Sequence, residues 1–176
     1  MILNKIIILA KYLNSFIYKM FLKKCGNNFF PGFWFEIKGG KNIIIGSSFS
    51  SESHVKLFAG KGILKMGNNI KVNNNVFIGA SAGEIYIGNN VLIGPNTVIR
   101  SSNHSFNKID LIRKQKHTKG VIIIEDDVWI GANVVILPNL TIKKGAVIGA
   151  GSIVTKSIAE FDIVAGNPAK KIGERR

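Results

Sequence analysis

Acidic residues are scarce in this sequence. Ten aspartates and glutamates stand against 24 lysines and arginines, a formal net charge of +14. So basic a balance points to an anionic partner: nucleic acid, a membrane surface or a phosphorylated small molecule. Cysteine is nearly absent. Cys25 alone excludes a disulfide framework and any thiolate metal cluster, and a reducing compartment is the natural reading. Proline is low at 4, and the 19 glycines follow no Gly-X-Y period, which excludes collagen. No apolar run reaches the roughly 20 residues that a membrane span needs, and no small-residue cleavage site follows the apolar N-terminus, as a signal peptide would require. What is present is a globular composition. The chain has 176 residues, 46% of them hydrophobic and 19% charged, which suits one domain with a real core and excludes a disordered chain.

The first thirty residues stand apart. Lys5, Lys11, Lys19, Lys23 and Lys24 punctuate an apolar series (Ile2, Leu3, Ile6 to Leu9, Leu13, Phe16, Ile17, Met20 to Leu22) without a single acid. The spacing predicts a basic amphipathic helix over residues 1–30. Two readings are open: a helix packed on its own domain or on a neighbouring subunit, or one lying on an anionic membrane face. The aromatic stretch Phe29 to Phe35 either plugs the end of a core or extends the same apolar surface.

A period of six runs through the rest. The rungs are Ile45, Ser51, Leu57; Met66, Val72, Ile78; Ile87, Ile93, Ile99; and Ile124, Ile130, Ile136, Ile142, Ile148, Val154. Every rung but Ser51 is apolar, and glycine often follows, as at Gly46, Gly67, Gly79, Gly88, Gly94, Gly131 and Gly149. The residue four beyond a rung is usually small or apolar; Lys61, Asn103 and Ser152 depart from this. Such a residue lies two before the next rung and so points to the same side of a short strand. Six residues then make one strand and one corner, and three such units make a triangular coil. Stacked coils bury a continuous apolar column, which predicts an all-β fold, the hexapeptide solenoid of parallel strands. Three extra residues near 58–65 and again at 79–86 predict bulged corners.

Between Ile99 and Ile124 the ladder pauses, and the intervening residues leave the coil as an extruded loop at about 103–122. Loops thrown from a rigid scaffold often carry function. This one opens on Ser101-Ser102-Asn103-His104 and continues with Lys108, Arg113, Lys114, Lys116 and Lys119 against one acid, Asp110. Histidine is the usual general base near neutral pH. His104, at the exit from the coil, is the candidate; His54 reads as a surface position inside a coil and His117 as a solvated loop residue. Their spacings of 50 and 13 residues argue against a metal centre.

The stretch from Ile87 to Ile172 resembles the hexapeptide-repeat O-acetyltransferases that act on galactosides, maltose and xenobiotics. The residues that carry it are Ile93-Gly94-Pro95-Asn96 with Asn103-His104; Asp127-Val128-Trp129-Ile130-Gly131-Ala132-Asn133; Val147 to Lys156; and Ala165-Gly166-Asn167-Pro168-Ala169. The basic N-terminal extension is more similar to members acting on polysaccharide precursors such as O-antigen or capsule sugars. The resemblance implies a left-handed coil, a homotrimer with its site between neighbouring subunits, and acetyl-CoA as donor without a metal. It implies His104 as the catalytic base that takes the proton of a saccharide hydroxyl, a group that needs a base at the moment of attack. Trp129 matches the tryptophan beside the acetyl arm. Gly131, Ala132, Ala150, Thr155 and Lys156 match the pantetheine and nucleotide channel, Lys170 a basic position near the adenosine phosphates, and Asn73 an asparagine near the acetyl group.

Two departures matter. Ala132 stands where some relatives carry serine, so a developing oxyanion would rely on a backbone N–H or another group. No carboxylate lies close in sequence to orient His104; Asp110, Glu84 or a backbone carbonyl remain open for that role. The expected organisation is a helix over 1–30, an acyltransferase coil over 31–158 and a C-terminal tail over 159–176. The expected place is the cytoplasm, with peripheral contact to the inner face of the cytoplasmic membrane as an option for the helix. Two other functions share the scaffold: N-acylation of an amino sugar, and a non-catalytic binding solenoid. Nucleic acid is not expected, because the basic residues are spread over helix, loop and tail with no recognisable module.

Overall fold

The computed structural model describes residues 15–176, so residues 1–14 of the expected basic helix lie outside the described residues. Residues 15–21 are helical. From Lys24 onward the chain winds a triangular prism of about six turns, the left-handed β-helix. Its first face stacks Lys24–Cys25, Ile43–Ile45, Ile63–Met66, Glu84–Ile87, Val121–Ile124 and Leu140–Ile142. The second stacks Phe29–Phe30, Phe49–Ser51, Ile70–Val72, Leu92–Ile93, Trp129–Ile130, Val147–Ile148 and Asp162–Ala165. The third stacks Glu36–Lys38, Lys56–Phe58, Phe77–Gly79, Val98–Arg100, Val135–Ile136 and Ile153–Val154. Neighbours in each face pair in parallel, rung on rung: Val72 beside Ile93, Ile93 beside Ile130, Ile130 beside Ile148. The exceptions are Lys170–Glu174, which closes the second face antiparallel to Asp162–Ala165, and a hairpin outside the coil.

Every rung of the six-residue ladder is buried, Ser51 included. Ser51 can be polar because its hydroxyl accepts the Gly32 N–H at 3.0 Å. Ser152, another departure, is also buried; it donates to the Gly149 carbonyl at 2.6 Å and accepts the Gly166 N–H at 3.2 Å. Corners close on a left-handed residue. The column between the first and second faces holds Asn28, Ser48, Asn69, Asn90, Asp127 and Gly145; that between the second and third holds Trp34, His54, Asn75, Asn96, Asn133 and Gly151. Asparagine and aspartate tolerate this conformation best among residues with a side chain. Side chains also tie the corners: Asn68 Oδ1 accepts the Ser47 N–H, Asn89 Oδ1 that of Asn68, and Asp126 Oδ1 that of Asn89.

All the insertions fall on the third corner, where the third face returns to the first. The turns at 59–62 and 80–83 are the two bulged corners. They stack tightly: a side chain at Gly62 would meet the Ala80 carbonyl at 1.8 Å. The long excursion leaves the same corner at Ser101 and rejoins at Gly120.

The coil begins before residue 31 and continues past residue 158, beyond the expected bounds at both ends. Lys24–Cys25 and Phe29–Phe30 are the first rungs, inside the expected helix. Gly26, Asn27 and Asn28 interrupt the helical spacing and turn a corner instead, with Asn28 left-handed. Phe29 then buries against Phe35 and Phe49. At the far end the expected tail is a structured cap: Ile158 bridges Ile142, Asp162–Ala165 adds a last rung, and Lys171 pairs with Asp162 across the closing hairpin.

Burying one aliphatic rung stabilises the fold by about 1.5–3 kcal/mol. Ile136→Ala, at a fully buried rung, should therefore cost about 2–5 kcal/mol and lower the melting temperature accordingly. Ile172→Ala, on the exposed closing strand, should stay within about 0.5 kcal/mol of wild type. Equal losses at both positions in thermal melts would contradict the column as the source of stability.

Candidate active site

The excursion starts as a two-stranded hairpin. Ser102–His104 pairs antiparallel with His117–Lys119, with His104 directly opposite His117. The pairing is fastened by Ser105 N–H to the Lys116 carbonyl at 3.0 Å and by Thr118 Oγ1 to the Asn103 carbonyl at 3.2 Å. The two imidazole rings stand 4.0 Å apart between centroids, tilted by 42°. His117, read from sequence as a solvated loop residue, is thus the immediate neighbour of the candidate base. Beyond the hairpin, Gln115 braces the tip through the backbone of Asn107 and Asp110.

Neither carboxylate considered as an orienter is engaged with His104. Glu84 lies on the first face and accepts the Tyr86 hydroxyl, which raises the Tyr86 pKa. Among the described residues no carboxylate forms an ion pair with a histidine. Beneath the hairpin, the buried Ser101 hydroxyl is the one buried side-chain polar atom without a partner among the described residues.

Trp129 projects from the second face and is 56% exposed. It borders a groove of about 350 Å³ whose lining includes Lys71, Val72, Asn73, Ile93 and Gly94. The structure therefore sets Asn73 and Trp129 on one groove. Asn73 Oδ1 accepts the Asn74 N–H at 2.9 Å, which holds that corner. Directly above, Gly131, Ala132 and Ala150 line the edge between the second and third faces. A side chain at Gly131 would meet the Ala150 nitrogen at 2.7 Å and the Ile148 carbonyl at 2.8 Å, so the backbones pack there without room for one. Lys170 begins the closing strand beside Ala165, on the same side. Thr155 and Lys156, in contrast, follow Ile153–Val154 across the third face, on the corner from which the histidine excursion leaves.

Within one chain the candidates thus form two groups: His104, His117, Thr155 and Lys156 at one edge of the third face, and Asn73, Trp129, Gly131, Ala132, Ala150 and Lys170 at or beyond the other. Among the described residues no group of histidine, cysteine, aspartate or glutamate is arranged to hold a metal ion. The antiparallel register that brings His117 to His104 has no signature in a 13-residue spacing, so sequence alone could not find it.

A left-handed β-helix that throws out a histidine-bearing hairpin has the build of a hexapeptide transferase. Residues 122–156 match the bacterial transferase hexapeptide repeat (six repeats). Over 162 residues, 88% of this chain and 81% of the relative, the sequence is 33% identical to WbbJ of Escherichia coli, named as a lipopolysaccharide biosynthesis O-acetyl transferase. The chain belongs to the hexapeptide-repeat acetyltransferase family. Other relatives match over a shorter stretch. A chloramphenicol acetyltransferase of Klebsiella aerogenes is 50% identical over 56 residues, which span 32% of this chain and about a quarter (27%) of that protein. Among solved structures, a variant of the N-acyltransferase AntD from Bacillus cereus, in complex with dTDP-4-amino-4,6-dideoxyglucose and coenzyme A, superposes with a TM-score of 0.78 at 22% identity. It covers 93% of this chain and 89% of that one.

Tight packing and exposed chemistry separate cleanly at this edge. Gly131→Val should destabilise by about 1–3 kcal/mol through the clash with the next turn, whereas Trp129→Ala should leave the melting temperature nearly unchanged, as exposed substitutions do. A large stability loss from Trp129→Ala would assign the ring to the fold and remove it from the site.

Proposed function

We propose that this chain is an acetyl-CoA-dependent O-acetyltransferase that modifies a hydroxyl of a saccharide, a precursor of a cell-surface polysaccharide. The observation that carries the reading is His104, held out of the coil on a hairpin just before the turn that bears Trp129. The identity with WbbJ along most of both chains supports O-acetyl transfer in particular. His104 accepts the proton of the acceptor hydroxyl as its oxygen bonds to the thioester carbonyl carbon. The tetrahedral adduct then expels the thiolate of coenzyme A, which recovers that proton from the imidazolium. Ala132 offers no hydroxyl to the oxyanion, so a backbone N–H serves it. Trp129 and Asn73 flank the acetyl arm. Gly131, Ala132 and Ala150 let pantetheine approach the backbone, with Thr155 and Lys156 on the opposite wall of the channel.

The donor fits the residues present. Lys156 and Lys170 are exposed and have no ion-pair partner among the described residues, unlike Lys171, which is taken by Asp162 and Glu174. Two free ammonium groups suit the phosphates of coenzyme A. The two groups of candidates face apart within one chain, so the site is completed by a neighbouring copy in a trimer. The excursion supports this, for it bares Phe106, Ile109, Leu111 and Ile112, with Ile109 96% exposed. An apolar tip of that kind belongs against a partner surface. The enzyme works in the cytoplasm, against the inner face of the cytoplasmic membrane. N-acylation of an amino sugar is the second reading, favoured by the fold shared with AntD; an amine acceptor would use His104 in the same way.

Thiol release from acetyl-CoA, measured across hydroxyl and amino sugars, separates the two. His104→Ala should lower kcat by about 10²–10⁴-fold while calorimetry shows unchanged acetyl-CoA affinity; full activity in that variant would overturn the assignment of the base. In light scattering the wild type should have the mass of a trimer, and Ile109→Asp with Leu111→Asp should yield a monomer. A monomeric wild type would overturn the shared site.

A further inference from the structure

The helical residues 15–21 cap the N-terminal end of the prism. Ser15 donates to the Phe29 carbonyl on the second face, Tyr18 to the Phe35 carbonyl at the start of the third, and Lys23 N–H reaches the Gly40 and Ile43 carbonyls at the third corner. The segment therefore lies across the open end of the first turn. Its inner side is Ser15, Tyr18 and Leu22. An ordinary surface helix would be polar on the other side. This one shows Phe16, Met20 and Phe21, 67%, 73% and 63% exposed. Trp34, at the second corner of the same first turn, stacks on His54 of the next turn at 6.2 Å between centroids yet is 76% exposed, and it is held at φ 58°, a conformation a bulky residue rarely adopts.

The charge at this end is of one sign. Lys19, Lys23 and Lys24 adjoin the patch in sequence and Lys41 lines one groove with Met20 and Phe21; no acid precedes Glu36, and Glu36, in that groove, is itself paired with Lys38 at 3.1 Å and Lys56 at 3.6 Å. Exposed aromatics beside lysines are complementary to the interface of an anionic bilayer, and tryptophan favours that depth.

We propose that this capping face docks on an anionic lipid surface and stands the β-helix upright on it. Parallel strands stack ~4.8 Å apart, so His104, leaving the fourth turn, sits roughly 15 Å above the first turn, and Trp129, on the fifth, roughly 19 Å. In a parallel trimer the three caps form one base and bind together. Resting on the acyltransferase reading, the geometry points to an acceptor sugar presented by a lipid carrier, its reacting group held clear of the headgroups. A free, soluble sugar would need no such base.

The two tryptophans of the chain, Trp34 and Trp129, make the orientation measurable without turnover. The full-length protein should co-float with vesicles of phosphatidylglycerol and phosphatidylcholine, and far less with phosphatidylcholine alone or at high salt. Phe16→Ser with Met20→Ser and Phe21→Ser should cut the bound fraction at least tenfold while acetyl-CoA binding is retained. With brominated lipids, Trp34 fluorescence (in Trp129→Phe) should be quenched and Trp129 fluorescence (in Trp34→Phe) should not. Flotation unaffected by the three serines, equal quenching of both tryptophans, or end-to-end pairing of trimers abolished by the same serines would each overturn the proposal. Loss of turnover alone would bear on the acyltransferase reading instead.

Discussion

A single turn of this coil cannot bury its own apolar side chains; each rung is covered only by the rungs before and after it. Everything else follows from that stacking. It demands an inward apolar residue every six positions, short strands in strict parallel register, and a corner that turns the chain onto the next face within three residues. Left-handed asparagines and glycines meet the last demand, and the Asn68, Asn89 and Asp126 ladder keeps successive corners aligned. The column then needs closing at both ends. The helix with Tyr18 and Leu22 closes one, and the hairpin of Asp162–Ala165 with Lys170–Glu174 closes the other.

Because the interior is committed to packing, chemistry is confined to corners and outward positions. The corner between the third and first faces accepts insertions, three short (the Gly40–Asn42 turn among them) and one long, since nothing inside the prism depends on their length. That tolerance lets the excursion carry His104 out to a hairpin. The opposite edge does the reverse. There Gly131 packs so closely on Ala150 that the surface is bare backbone flanked by an exposed tryptophan. One edge carries the histidine hairpin and the other a smooth wall of backbone, and a rigid prism holds them apart. In the proposed trimer, two adjacent copies would bring unlike edges together, which one chain cannot do.

How much of this could be read in the sequence varied with the range of the interaction. The ladder from Ile45 to Val154 was legible because each rung repeats at a fixed short distance, and the bulged corners showed as additions to that distance. Ser51 looked like a flaw but is a hydrogen-bond acceptor for Gly32. The start of the coil is hidden in the sequence because Met20, Phe21 and Leu22 continue a helical spacing up to the point where Gly26 and Asn28 turn the chain into a strand. The neighbour of His104 was missed for a different reason. A hairpin register depends on which backbone groups pair, here Ser105 with Lys116, and nothing periodic encodes it.

The proposed division of the site between two copies is tested most directly by complementation. His104→Ala and Trp129→Ala each disable one edge, and each should be nearly inactive alone. Co-expressed and purified as mixed trimers, they should regain a substantial part of wild-type acetyl transfer, because some junctions pair an intact histidine edge with an intact tryptophan edge. Mixed trimers as inactive as either parent would mean that both groups act within one chain, and would contradict the central claim.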